Sequence, residues 1–171
     1  MKLIVIIVIS LLVSACSFSG KRAPDKLYYR FPEFMHAPVG KNVIVKRPSA
    51  MGIIGNRPMV AQNVDGSLLQ MQHNFWLESP KILLQNYLEK IFVNNGANDN
   101  TLNAQILHLE KKQQLAIVEI KFIITNSERQ QIFNKTYIEE SKLAENTIAS
   151  FVKSTSILLK KIVNQLIDDM P

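Results

Sequence analysis

The sequence predicts an α+β fold: a single domain on a mainly antiparallel sheet of hairpins, with two amphipathic helices packed on one face. Three observations predict it. Short alternating or β-branched runs recur along the chain, separated by polar turns rich in Gly, Pro, Asn and Asp. Only two segments carry helical spacing, one mid-chain and one at the C-terminus. A doubly wound parallel sheet needs a helix between most strands, and no sequence is present to form them.

Taken in order, residues 27–31 (Leu-Tyr-Tyr-Arg-Phe) read as an aromatic strand stopped by Pro32. Residues 42–46 (Asn-Val-Ile-Val-Lys) are β-branched and lie between Gly40 and Pro48, which predicts a buried strand. Residues 51–56 carry two glycines and read as a loop. Strands at 59–62 and 67–72 flank Val64-Asp65-Gly66, and Asp-Gly is a strong hairpin signal. Ser79-Pro80 opens a helix, serine as N-cap and proline at the first helical position. Its apolar stripe is Leu84, Leu88, Ile91 and Phe92, with Leu83 and Tyr87 alongside; Asn94-Asn95-Gly96 supplies the stop.

The second half is two hairpins and a helix. Residues 102–109 form a strand, 111–114 a polar turn, and 115–125 a strand with Ala116, Val118, Ile120, Phe122 and Ile124 on one face. After a turn at 126–129, residues 130–140 alternate more weakly, as expected of a strand with a wet face or at an edge. The helix from about residue 145 to 167 shares Ile148, Phe151, Val152, Thr155, Leu159, Ile162 and Leu166 on one face, with Lys153, Lys160 and Lys161 pointing away. No linker divides residues 27–171, and no internal repeat is visible.

The N-terminus reads as an address. Lys2 precedes an apolar run from Leu3 to Val13, broken only by Ser10, and small residues follow. That is the pattern of a secretory signal peptide over residues 1–15; a membrane span needs about 20 apolar residues. Residues 16–26 read as a polar tether with Gly20 and Pro24. Removing residues 1–15 takes Lys2 with it, so the formal charge falls from +6 to +5.

Composition narrows the function classes. With 171 residues, 47% hydrophobic and 20% charged, the chain suits one modest globular domain. A single cysteine excludes a disulfide scaffold and a cysteine-rich zinc site. The basic residues are scattered, in runs no longer than two and without a recognition cluster, so nucleic-acid binding is not expected. There is no GxSxG elbow, P-loop or GxGxxG fingerprint, and His36, His73 and His108 are not in an HExxH arrangement. Glu139-Glu140 are adjacent on a strand, so they point to opposite faces and make a poor acid–base pair. No cofactor, metal or enzymatic activity is expected. His73 near Trp76 is a candidate groove; His73 as a structural histidine and Trp76 as core packing across the helix's first turn stand beside that reading.

Val13-Ser14-Ala15-Cys16 resembles the bacterial lipobox. The resemblance implies diacylglyceryl transfer to the Cys16 thiol, cleavage before Cys16 and acylation of the new amino terminus. Ser17 in place of aspartate then implies sorting to the outer membrane of a Gram-negative cell, on its periplasmic face. Further along stand Leu27-Tyr28-Tyr29, then Ile44-Val45-Lys46-Arg47-Pro48-Ser49-Ala50, Asn56-Arg57-Pro58-Met59-Val60 and Asn74-Phe75-Trp76-Leu77-Glu78-Ser79-Pro80. This succession resembles the ABC-type transport auxiliary lipoprotein family, which includes paraquat-inducible protein C. Ala61-Gln62 departs from it, since relatives often carry an aromatic after Met-Val.

What the resemblance implies is a non-catalytic periplasmic component partnered with an Mce-domain protein of an ABC transporter, whose permease and ATPase are separate chains. Lipid would move between the two membranes, and a homo-oligomer is compatible with that role. The alternative class is an outer-membrane assembly lipoprotein, a pilotin or chaperone for a secretin or lipopolysaccharide exporter; a lipid-anchored hydrolase is a third. Docking asks for exposed, shaped loops on a rigid sheet. The loop from Ala50 to Pro58 is the candidate contact, because Met51, Ile53 and Ile54 are apolar in a Gly-rich connection that could equally cap the core.

Overall fold

In the computed structural model the elements run β1 (Leu27–Tyr29), β2 (Ile44–Val45), β3 (Ser49–Ala50), β4 (Pro58–Gln62), β5 (Leu68–Trp76), α1 (Pro80–Ile91), β6 (Thr101–Lys112), β7 (Leu115–Thr125), β8 (Gln131–Lys142) and α2 (Ile148–Asp169). The structure describes residues 24–31, 39, 41, 43–92 and 100–171. The signal segment, Cys16, Ser17, Pro32 and the Asn94-Asn95-Gly96 stop lie outside the described residues. The fold is α+β, one mostly antiparallel sheet in the order β1-β5-β4-β6-β7-β8 with two helices, and β2 and β3 pair with β6.

The three expected hairpins are present. β4 and β5 are joined through Asn63–Ser67, where Gly66 takes φ +86° and the Asp65 carboxylate accepts from the Ser67 amide at 2.9 Å and its hydroxyl at 2.6 Å. Those two bonds hold the Asp65 carboxyl below its ordinary pKa. β6 and β7 pair antiparallel from Thr101↔Thr125 to Lys112↔Leu115. β8 then pairs antiparallel with β7. Between the hairpins the sheet is parallel: α1 carries the chain across so that β6 lies beside β4, and β1 adds to β5.

Element ends differ from the sequence reading for identifiable reasons. β5 runs on to Trp76, because Asn74 to Trp76 pair with β1, Phe75 pairs with Pro58, and nothing breaks the ladder before Ser79-Pro80. β6 continues through Lys111 and Lys112, which oppose Ala116 and Leu115, so the turn shrinks to Gln113-Gln114 with Gln113 at φ 51°. The strand expected at 42–46 keeps only Ile44–Val45. Residues 51–56 are not an irregular loop but contain a 3₁₀ turn, Gly52–Gly55. Ser79 does stand at the N-cap of α1, yet its side chain makes no capping bond; its carbonyl accepts from Ile82 and Leu83 instead.

The core follows the alternation. Leu102 faces Ile124, Ala104 faces Phe122, Ile106 faces Ile120 and Leu109 faces Val118, all buried. α1 contributes Leu84, Leu88 and Ile91, and α2 contributes Phe151, Leu159, Ile162 and Leu166 to the same cluster. The buried face of α2 is wider than its apolar stripe, taking in Ser154, Thr155 and Ser156. Ser156 settles its hydroxyl on the Val152 carbonyl at 3.0 Å.

Polar bonds pin α2 to β8. Glu139 accepts from Lys161 at 2.7 Å and Gln165 at 2.8 Å, while Glu140 is exposed on the other face. Asp169 accepts from Lys135 at 2.6 Å and the Tyr137 hydroxyl at 2.7 Å. The Lys135 and Tyr137 bonds lower the Asp169 pKa from 3.8, and burial followed by the Asp169 bond raises that of Tyr137 from 10.0. A lowered carboxylate loses its contribution as pH falls through its folded value; a raised phenol loses its contribution as pH rises through its own. The pair therefore stabilises fully between the unfolded values of 3.8 and 10.0 and fades outside them. Asp169→Asn is expected to flatten the acid limb of the stability–pH profile, measured by urea unfolding across pH 2.5 to 6. An unchanged acid limb overturns the assignment.

Candidate docking surface

The loop singled out as a contact is rigid. Met51 donates its amide to the Ile106 carbonyl at 3.0 Å, Ile54 to Met51 at 3.2 Å and Asn56 to Ile53 at 3.2 Å. Gly52 opens the 3₁₀ turn at φ +49°, a left-handed value that suits glycine. Gly55 packs so closely that a Cβ there would sit 3.1 Å from the Ala50 Cβ and 3.3 Å from the Lys81 Cε. Arg57 and Trp76 close the loop base, with Trp76 N donating to the Arg57 carbonyl at 2.7 Å and Arg57 Nε to the Trp76 carbonyl at 3.3 Å.

This framework divides the three predicted contacts. Ile54 is buried in the core and Ile53 packs half-buried against it, so both cap the sheet. Met51 alone of the three is exposed, at 54%. A partner approaching this loop meets one flexible thioether side chain on a fixed base.

Trp76 and His73 are not brought together as a groove. Trp76 is buried to 1% exposure, in edge-on contact with Phe31 at 4.8 Å and tilted against Phe151 at 6.0 Å. It locks the start of α2 to the end of β5. His73 sits half-buried on the same strand. Cys16, the predicted lipidation point, lies outside the described residues.

Two groupings appear that the sequence reading did not single out. At the β1 edge, Tyr28 and Phe75 are register partners with rings 5.4 Å apart. The Arg57 guanidinium lies over the Tyr28 ring at 5.2 Å and the Lys26 ammonium over the Phe75 ring at 5.6 Å. The signal was the run Lys26-Leu27-Tyr28, where the polar tether meets the aromatic strand; Leu27 and Tyr28 are each 51% exposed. The second grouping joins β6 and β7: His108 Nδ1 is 3.1 Å from Glu110 Oε1, and its Nε2 is 3.5 Å from Glu119 Oε2. Glu110 is buried, and its other oxygen has no hydrogen-bond partner. The bulge between Ile106 and His108 is what puts His108 and Glu110 on the face opposite Leu109.

No family model and no curated protein matches the chain. Solved structures do. One is a crystal structure of an uncharacterized protein, with a TM-score of 0.71 at 14% identity over 85% of this chain and 99% of that one. Another is protein XCC0632 from Xanthomonas campestris, of the DUF330 family, with a TM-score of 0.71 at 14% identity over 82% of this chain and 92% of that one. The chain shares their fold over nearly the whole of their length, and at that identity the likeness is one of fold alone.

Proposed function

We propose that the chain is a non-catalytic, lipid-anchored periplasmic component of an Mce-type ABC transport system that moves lipids between the inner and outer membranes. The observation that carries this reading is the succession from Arg47-Pro48 to Trp76 and Ser79-Pro80 standing behind a lipobox. Those residues act together as framework: Pro48 is buried between β2 and β3, Met59 and Val60 are buried on β4, Trp76 closes β5 and Pro80 starts α1. What such a framework offers a partner is its rigid rim, and Met51 is the rim's exposed apolar side chain.

The test is a pull-down of the mature lipoprotein, in detergent, against the periplasmic domain of an Mce-domain protein from the same organism. Wild type is expected to bind, and Met51→Asp to weaken binding by about tenfold or more, as expected of a central interface residue. Met51 is exposed, so Met51→Asp leaves the fold intact. Equal binding by that variant moves the contact elsewhere on the rim. Absent binding by wild type, with an intact outer-membrane permeability barrier in a deletion strain, overturns the transport reading.

A further inference from the structure

We infer that the β1 edge is a membrane-contacting surface, resting on the anionic headgroups of the bilayer in which Cys16 anchors the chain. This rests on the lipid-anchor reading above and adds to it which face of the domain meets lipid.

β1 ends the sheet, so its outer edge carries no strand among the described residues. It covers only Asn74 to Trp76 of the nine-residue β5. An edge usually carries polar or charged protection against unwanted pairing. This one instead exposes apolar groups on both sides of the strand, Leu27 on one face and Tyr28 on the other, each at 51%, with the exposed cations Lys26 and Arg30 at either end. Arg57 joins them through its stack on Tyr28, and Lys26 through its stack on Phe75. Asp25 is the acid beside them.

Aromatic and leucine side chains flanked by lysine and arginine are the composition of a bilayer interface. The rings and aliphatic groups enter the headgroup boundary while the cations reach lipid phosphates. A cation–aromatic stack suits that position because the ring holds the charge at the surface without a carboxylate partner to neutralise it. Chain geometry points the same way. The ten steps from Cys16 to Lys26 reach about 35 Å at most, at about 3.5 Å per residue. β1 is the first strand the chain enters after that tether. The far edge differs: β8 also exposes an isoleucine, Ile138 at 56%, but its aromatic–cation stack, Lys135 over Tyr137 at 5.2 Å, is neutralised by Asp169 at 2.6 Å from the ammonium.

The experiment uses the mature lipoprotein reconstituted in vesicles of phosphatidylethanolamine and phosphatidylglycerol. With the Cys16 thiol in thioether linkage, a single introduced cysteine takes an environment-sensitive fluorophore. Leu27→Cys is compared with Ile138→Cys, two sites of matched exposure on opposite edges. Expected is a blue-shifted emission and strong quenching by bromolipid at position 27, with neither at position 138. Lys26→Glu with Arg30→Glu is expected to reduce the quenched fraction at position 27 by at least tenfold, since each cation near an anionic surface contributes about a factor of five. Unchanged quenching in vesicles without phosphatidylglycerol overturns the role given to the cations. A protein that floats with the vesicles but is quenched no more at 27 than at 138 overturns this inference and leaves anchoring standing. A protein that fails to float overturns the anchor reading and this inference with it.

Discussion

Leu88→Asp is expected to lower the stability of the domain by about 4 kcal/mol or more, enough to unfold much of it at room temperature. Leu88 is fully buried at the centre of the α1 stripe, between Leu84 and Ile91. Truncating such a leucine costs about 2 to 5 kcal/mol through lost transfer energy and the cavity left behind. Aspartate adds an unpaired charge in the same place, which costs several kcal/mol more unless the helix lifts off the sheet. Total stability of a domain is about 5 to 15 kcal/mol, so a loss of that size decides the folded fraction. Helix α1 also joins β5 to β6, and with it the parallel β4–β6 junction, so its release uncouples the two halves of the sheet. Urea unfolding checks this: the midpoint should fall steeply, Leu88→Ala should lie between the two, and Lys90→Asp on the exposed face should move it little. A midpoint unchanged in Leu88→Asp would falsify the assignment of this face to the core.

How far such effects are legible in sequence depends on what sets them. β7 was readable to the residue, because Ala116, Val118, Ile120, Phe122 and Ile124 alternate against a helix-covered face and the turns on both sides are polar. The hairpin at Asp65-Gly66 was readable because glycine is needed there at φ +86°. Pairing between hairpins was not. Nothing in Val60-Ala61-Gln62 says that it lies parallel to Glu110-Lys111-Lys112, since periodicity names a face and never a neighbour. The width of α2 beyond Thr155 was hidden for another reason: Ser154 and Ser156 are polar by composition, yet a serine that bonds its own helix carbonyl, as Ser156 does, can be buried at little cost.

The same distinction governs the candidate contacts. Met51, Ile53 and Ile54 look alike in a Gly-rich stretch, and only the bonds that fix the 3₁₀ turn against β6 separate an exposed methionine from two capping isoleucines. Trp76 stands three residues from His73 in sequence, but its ring is buried against Phe31 and Phe151. Tyr28 was read only as part of an aromatic strand. Its place on the edge strand, which periodicity does not give, leaves the ring half in solvent beneath Arg57.

Cys16→Ala is expected to change the cellular position of the protein from almost wholly membrane-bound to almost wholly unanchored by lipid, with no loss of the folded domain. Among the described residues the buried core is built from residues between Val43 and Met170. In the proposed lipid-anchor reading anchoring depends entirely on Cys16, because it is the chain's single thiol and closes Val13-Ser14-Ala15. Each buried CH₂ contributes about 0.8 kcal/mol, so one acyl chain binds marginally while two or more hold a soluble domain stably. In that reading, losing the diacylglyceryl group removes far more membrane affinity than the proposed β1 contact would supply. The variant should escape the lipoprotein peptidase, migrate as the uncleaved precursor and take up no clickable palmitate analogue. Its far-ultraviolet dichroism and urea midpoint, measured without residues 1–15, should match wild type. Palmitate labelling that persists in Cys16→Ala would place the acyl group elsewhere and remove the basis for the outer-membrane address. A collapsed midpoint would show instead that the N-terminal segment is part of the fold, and the tether reading of residues 16–26 would go with it.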